Sequence, residues 1–178
     1  MDLPTRQLRE LSLFSGMGAF TLALRLAGLN TRTVCYVEHD KYAQQVLQQR
    51  FGDGLDPAPI WDDINTFDPE PWRGHVDIVS AGFPCQPHSK AGSRRLAKGL
   101  DDARNLWPDF ARLIREFGFP TWVFMENVSG PLFLRYYFFD IRKELREMGY
   151  TVSEGLFSAA ETGAPQKRQR IFILAYRG

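Results

Sequence analysis

The sequence predicts an α/β fold: a doubly wound, mostly parallel sheet with an antiparallel hairpin at one edge. Three observations carry this. Apolar runs of strand length alternate with stretches that repeat their apolar residues at helical spacing. A glycine turn follows the first run, and an acidic residue closes the second. The last two runs, "TVSEGLFSA" and "RIFILAY", have no helical pattern between them, so they pair as neighbours without a crossover.

In chain order, "LSLF" reads as a strand, and "AFTLALRLA" as a helix after the glycine turn. "TVCYVE" is the second strand. A helix starts near Asp40, a residue type that caps helix N-termini, with Tyr42, Val46, Leu47 and Phe51 on one face. A loop rich in Asp, Gly and Pro leads to a short strand near "APIW", and "VDIVSAG" is a buried strand. A polar segment runs from Pro84 to about Arg104. The next helix sets Leu106, Phe110, Leu113, Ile114 and Phe117 on one face. "TWVFMEN" is the fifth strand. Leu134, Phe138, Ile141, Leu145 and Met148 line one face of a further helix, and Gly149 suits its C-terminal end.

A chain of 178 residues is expected to form one domain, 1–178. No apolar run is long enough to cross a membrane, and "MDLPTRQLRE" lacks the apolar stretch of a signal peptide, so a cytoplasmic location is expected. Two cysteines make no disulfide framework, no Cys/His spacing resembles a zinc site, and no metal is expected. A net charge of +1 excludes a generally basic nucleic-acid coat. The basic residues gather in "KAGSRRLAK" (Lys90, Arg94, Arg95, Lys98) and "QKRQR" (Lys167, Arg168, Arg170). On charge alone such a run reads first as a solvated loop.

Ligands of doubly wound sheets bind beyond the carboxyl ends of the strands. Gly16 and Gly18 in "LFSGMGAF" follow the first strand, Glu38 ends the second, Cys85 follows the fourth and Glu126 ends the fifth. The glycines let a ligand approach the backbone and the helix N-terminus. Glu38 stands where an acid accepts from ribose hydroxyls. A dinucleotide fingerprint wants a third glycine, but Thr21 occupies that place. A nucleoside without a pyrophosphate, such as S-adenosylmethionine, fits better. Asp63 in "DDIN" is either an acceptor for an adenine amino group or a cap or solvated loop acid.

An isolated cysteine is most often a small hydrophobe. Cys35, inside "TVCYVE", reads that way. Cys85 differs: it leads a polar loop, Pro84 fixes its backbone, and Glu126 ends the neighbouring strand at the same edge. His88 is at most a loop donor.

"LFSGMGAF", "GFPCQPHS", "MENV" and "PQKRQRIFILA" together resemble, in order, the motifs of the cytosine carbon-5 DNA methyltransferases. The resemblance covers nearly all of Leu11 to Tyr176, and "GFPCQPHS…DDARNLWPDFARLIRE" further resembles phage or prophage members. It implies the Rossmann-like methyltransferase fold, S-adenosylmethionine as cofactor and double-stranded DNA as partner. Phe14 would stack on adenine, Gly16 and Gly18 shape the methionine pocket, Glu38 hold the ribose, and Asp63 and Ile64 the adenine. Asn105 and Leu106 match the segment that closes over the cofactor. Cys85 matches the nucleophile, Glu126 the acid on the cytosine ring with Asn127 orienting it, and Arg168 and Arg170 the late basic pair. The target atom lies inside the duplex, so the base must be flipped out. Gln86, Ser89, Lys90, Arg94, Arg95 and Lys98 then become DNA contacts.

Two departures from the family pattern bear on function. Ser12 stands where many members carry aspartate. The chain ends at Gly178, where members continue into a target-recognition region and late motifs. That leaves three expectations: half of a split enzyme with a second chain supplying recognition, a natural truncation, or a compact enzyme of low specificity. Two other functions stay open. The related tRNA cytosine methyltransferases share the motifs, though Ser89 and the phage-like loop favour DNA. A binding subunit or remnant without turnover is the other, against which the intact Cys85, Glu126, Arg168 and Arg170 argue.

Overall fold

The computed structural model describes residues 6–84 and 105–178. Seven strands form one sheet: β1 (Leu8–Leu13), β2 (Thr31–Val37), β3 (Ile60–Trp61), β4 (Ile78–Ala81), β5 (Trp122–Val128), β6 (Thr151–Ser158) and β7 (Gln169–Tyr176). Their order is β3-β2-β1-β4-β5-β7-β6. The first five pair in parallel, and β7 runs antiparallel between β5 and the edge strand β6. This is the expected doubly wound sheet with its antiparallel edge. The order reverses at β1/β4, the switch point where such sheets open a ligand crevice.

Alternation along each strand divides the core. Leu11 and Leu13 of β1, Val123 and Met125 of β5, and Ile171, Ile173 and Ala175 of β7 face the main cluster. Helix α3 (Trp107–Glu116) fills it with Phe110, Leu113 and Ile114. On the other face, α1 (Ala19–Leu26) packs Leu24 onto Leu8 and Ile78, and α2 (Lys41–Gln49) packs Leu47 onto Tyr36 and Leu55. Asp40 caps α2, accepting from the Ala43 amide at 2.8 Å.

Glu10 of β1 is fully buried. It accepts from Ser80 Oγ at 2.6 Å, Thr33 Oγ1 at 2.8 Å and Thr21 Oγ1 at 2.9 Å. It has no cationic partner among the described residues, and burial pushes its carboxyl above the usual range. Thr21, at the place of the absent third glycine, is thus part of a polar core network.

Two expected helix faces are corrected. Tyr42 is 73% exposed, because α2 covers the narrow β2–β3 edge and buries fully only Leu47. In the last helix the buried stripe is Phe133, Tyr137, Ile141, Leu145 and Met148, while Phe138 is 44% exposed. The cause is a π-helical turn, Tyr137–Ile141, between α4 (Pro131–Tyr136) and α5 (Arg142–Glu147). Its wider turn spaces the inward residues by four and slides the phase. Gly149, at φ 89°, ends this helix as expected. Its amide reaches Arg146 O, and the Tyr150 amide reaches Leu145 O, the Schellman pattern. A single 3₁₀ turn, Ala159–Thr162, joins β6 to β7.

Candidate active site

A cavity of about 430 Å³ opens at the carboxyl ends of β1, β2 and β4. Phe14, Glu38, Asp63, Ile64 and Leu106, five of the expected cofactor residues, line it together. Val37, His39, Asn65, Gly82 and Pro84 complete the lining. Val37, His39, Asn65 and Gly82 were not assigned to the site in the sequence, and Pro84 entered only as the residue fixing the Cys85 backbone.

The turn after β1 is strained. Phe14 is a non-glycine residue at φ 51°, a conformation costing roughly 1–2 kcal/mol. Ser15 holds it, its hydroxyl donating to Ser12 O at 2.8 Å and its amide to Val37 O at 3.1 Å. Glu38 is fixed from both sides, by the Gly16 amide on Oε2 at 2.6 Å and the Asp40 amide on Oε1 at 2.8 Å. A carboxylate has about four lone-pair positions, so about two remain for a ligand.

Gly18 sits at the start of the first helix. It is the N-cap of α1 at φ 79° and is not part of the cavity lining. A Cβ there would stand 2.6 Å from Leu55 Cδ1, so this glycine serves helix packing. Gly16 acts through its amide on Glu38.

Asp63 Oδ1 accepts from the Asn65 amide at 2.9 Å and Asn65 Nδ2 at 2.8 Å. These bonds hold its carboxyl below the usual range. The loop-acid geometry and the cavity position therefore coexist. The Ile64 side chain is buried, and its carbonyl accepts from Arg112 Nη2 at 3.2 Å. Leu106 follows Asn105, whose Nδ2 donates to Tyr136 Oη at 2.9 Å.

The acid lies at the end of β5. Glu126 Oε1 pairs with Arg170 Nε at 2.8 Å, both side chains about one-quarter exposed. The register sets this up: Val128 faces Arg170 and Glu126 faces Phe172, so Glu126 and Arg170 are diagonal neighbours on one sheet face. Burial pushes the Glu126 carboxyl up, against the lowering pull of Arg170 and Arg168. Arg168 is exposed and acts on Glu126 by charge. Asn127 does not orient Glu126. Successive strand residues point to opposite faces, and Asn127 Nδ2 instead donates to Phe83 O at 3.0 Å.

That bond fixes the end of the loop leaving β4. The Phe83 ring lies 6.0–6.4 Å from those of Phe14, Trp107, Phe110 and Phe133. Cys85 itself, with Gln86, Ser89, Lys90, Arg94, Arg95 and Lys98, lies outside the described residues. Cys35 is buried, and desolvation pushes its thiol up to about 12, consistent with a core residue. Among the described residues there is no group of three or more metal-ligating side chains, and no helix is long and apolar enough to cross a membrane.

Among solved structures similar to this fold are methyltransferases. The Dnmt2 methyltransferase of S. pombe superposes with a TM-score of 0.73 at 22% identity, over 97% of this chain and 50% of that one. The methyltransferase EhMeth of Entamoeba histolytica gives 0.75 at 19%, over 98% and 54%. Residues 8–178 match the model of the C-5 cytosine-specific DNA methylases, and the chain belongs to that family. It is 36% identical to the type II methyltransferase M.HhaI of Haemophilus parahaemolyticus, over 96% of this chain and 49% of that protein. It is 34% identical to M.NgoBI of Neisseria gonorrhoeae, over 94% and 50%. The chain thus spans about half the length of these curated relatives.

Proposed function

We propose that residues 1–178 act as one domain, the cofactor-binding and catalytic unit of a DNA cytosine-5 methyltransferase. One observation carries the reading. Gly82 lines the cavity, and a Cβ on it would stand 3.8 Å from Glu126 Oε2. The nucleoside cavity and the acid therefore meet at one glycine, just before Cys85.

The cavity suits a nucleoside with a short tail, its volume lying in the usual range of about 300–1,000 Å³ for small-molecule sites. Glu38 has lone pairs to spare for two ribose hydroxyls, Phe14 offers a ring to adenine, and Asp63 an acceptor to its amino group. S-adenosylmethionine, when bound, supplies an electrophilic methyl group on a sulfonium.

The residues of the chain then make cytosine nucleophilic. The Cys85 thiolate adds at ring carbon 6, and electron density moves to carbon 5. Glu126, whose carboxyl burial pushes up against the pull of Arg170 and Arg168, shares a proton with ring nitrogen 3 and stabilises that density. Arg170 orients Glu126, and Arg168 adds positive charge near the thiolate. Carbon 5 takes the methyl group; a base then removes the carbon-5 proton, the thiolate leaves and the ring double bond returns. Gln86, Ser89, Lys90, Arg94, Arg95 and Lys98 contact the DNA from which the base is flipped, at a cost of about a few kcal/mol. The choice of target sequence is not assigned to this unit.

DNA containing 5-fluorocytosine tests this. With S-adenosylmethionine, the chain, alone or with a chain supplying a target-recognition region, is expected to form a denaturation-resistant complex, and Cys85→Ser to abolish it. Trapping that survives Cys85→Ser would remove the nucleophile assignment. Trapping of tRNA but not duplex DNA would favour the tRNA reading.

A further inference from the structure

We propose that Arg112 is a positioning residue for adenine recognition, mounting the Asp63–Asn65 wall of the cavity on helix α3; the inference rests on the nucleoside reading above. Helix α3 starts directly after Leu106, itself a lining residue. Arg112 lies inside α3 and does not line the cavity. It reaches the wall through one bond, Nη2 to Ile64 O at 3.2 Å. Glu116, one turn on, takes Nη1 at 2.6 Å and fixes the plane of the guanidinium fork, so that Nη2 is held toward the carbonyl.

The turn itself leaves that carbonyl to Arg112. Asp63 Oδ1 takes both nitrogens of Asn65, and Asp63 O takes the amide and hydroxyl of Thr66 at 3.1 and 3.2 Å. Among the described residues, Arg112 is the partner of Ile64 O from outside the turn. A second anchor ties the same segment to the same helix, because the Phe67 ring stands 6.1 Å from that of Phe117. One helix thus carries Leu106 by chain continuity and the Asp63–Asn65 turn by a charge-assisted bond. Without that bond the turn rotates more freely, and the Asp63 carboxylate loses its set direction toward the adenine amino group. The ribose end, held by Gly16 and Asp40 on Glu38, is untouched.

The test is calorimetric titration of the 178-residue chain with S-adenosylhomocysteine and with S-inosylhomocysteine, in which a carbonyl replaces the amino group. Arg112→Met is expected to weaken the adenosyl ligand about tenfold while changing the inosyl ligand little, so the preference for the amino group collapses. Arg112→Lys, which keeps a donor, recovers part of that preference. Far-UV circular dichroism confirms that both variants fold. Equal loss on both ligands, or no loss on either, overturns the assignment of Arg112. Failure of the unsubstituted chain to bind either ligand overturns the nucleoside reading itself, before any variant is compared.

Discussion

Replacing Glu10 by Gln tests the least expected group in the core. The side chain is fully buried against three hydroxyls, and burial raises its carboxyl in the folded state. A carboxyl whose folded value exceeds its unfolded one binds more protons when folded. Its stabilising effect is therefore complete below the unfolded value, 4.5, and is lost as pH rises toward the folded value. Across that window stability falls by about 1.4 kcal/mol per pH unit. For a chain of this size that is about 3–5 °C in Tm per unit. Gln has the shape of the neutral acid and does not titrate, and the three hydroxyls can rotate to serve it. Thermal melts of wild type and Glu10→Gln from pH 5 to 8 are expected to diverge, with the variant increasingly the more stable. Glu126 titrates in the same sense in both proteins, so the difference curve isolates Glu10. Parallel curves would refute the claim that burial raises the Glu10 carboxyl in the folded state.

The two glycines of the first turn are expected to respond unequally. Gly18→Ala meets a positive φ and Leu55 at 2.6 Å, and should lower stability by about 2–4 kcal/mol in denaturant titration; Gly16→Ala has open space and should lose only about 1–2. Equal losses would remove the packing role of Gly18. Alkylation with iodoacetamide at pH 8 should leave Cys35 unmodified until the chain is unfolded, because almost none of it is thiolate; mass spectrometry of the native digest checks this.

What the sequence made legible was whatever sits at a strand end. Glu38, Asp63, Ile64 and Glu126 stand at strand ends or in the loops just beyond them, and parallel topology gathers those ends at one edge. The packing of Gly18 against Leu55 was hidden because a glycine needed for close packing has the same letter as one needed for a ligand. The π turn misled because one widened turn shifts every later residue, while the spacing rule assumes a constant period. The contacts of Arg112 and Asn127 were hidden for another reason. Each acts on a backbone carbonyl, of Ile64 and Phe83, and every residue has such a group to offer equally. Glu10 was illegible because its partners come from β2, β4 and α1, segments with no common motif.

The position of β7 gives the site a history as well as a shape. Every residue lining the cavity is synthesised by Leu106, and Glu126 follows with β5. Arg170 comes last, on the strand that lies between β5 and β6, and among the described residues β6 pairs with β7 alone. As the chain leaves the ribosome, the residues that line the cavity emerge first, Glu126 second and Arg170, its ion-pair partner, last.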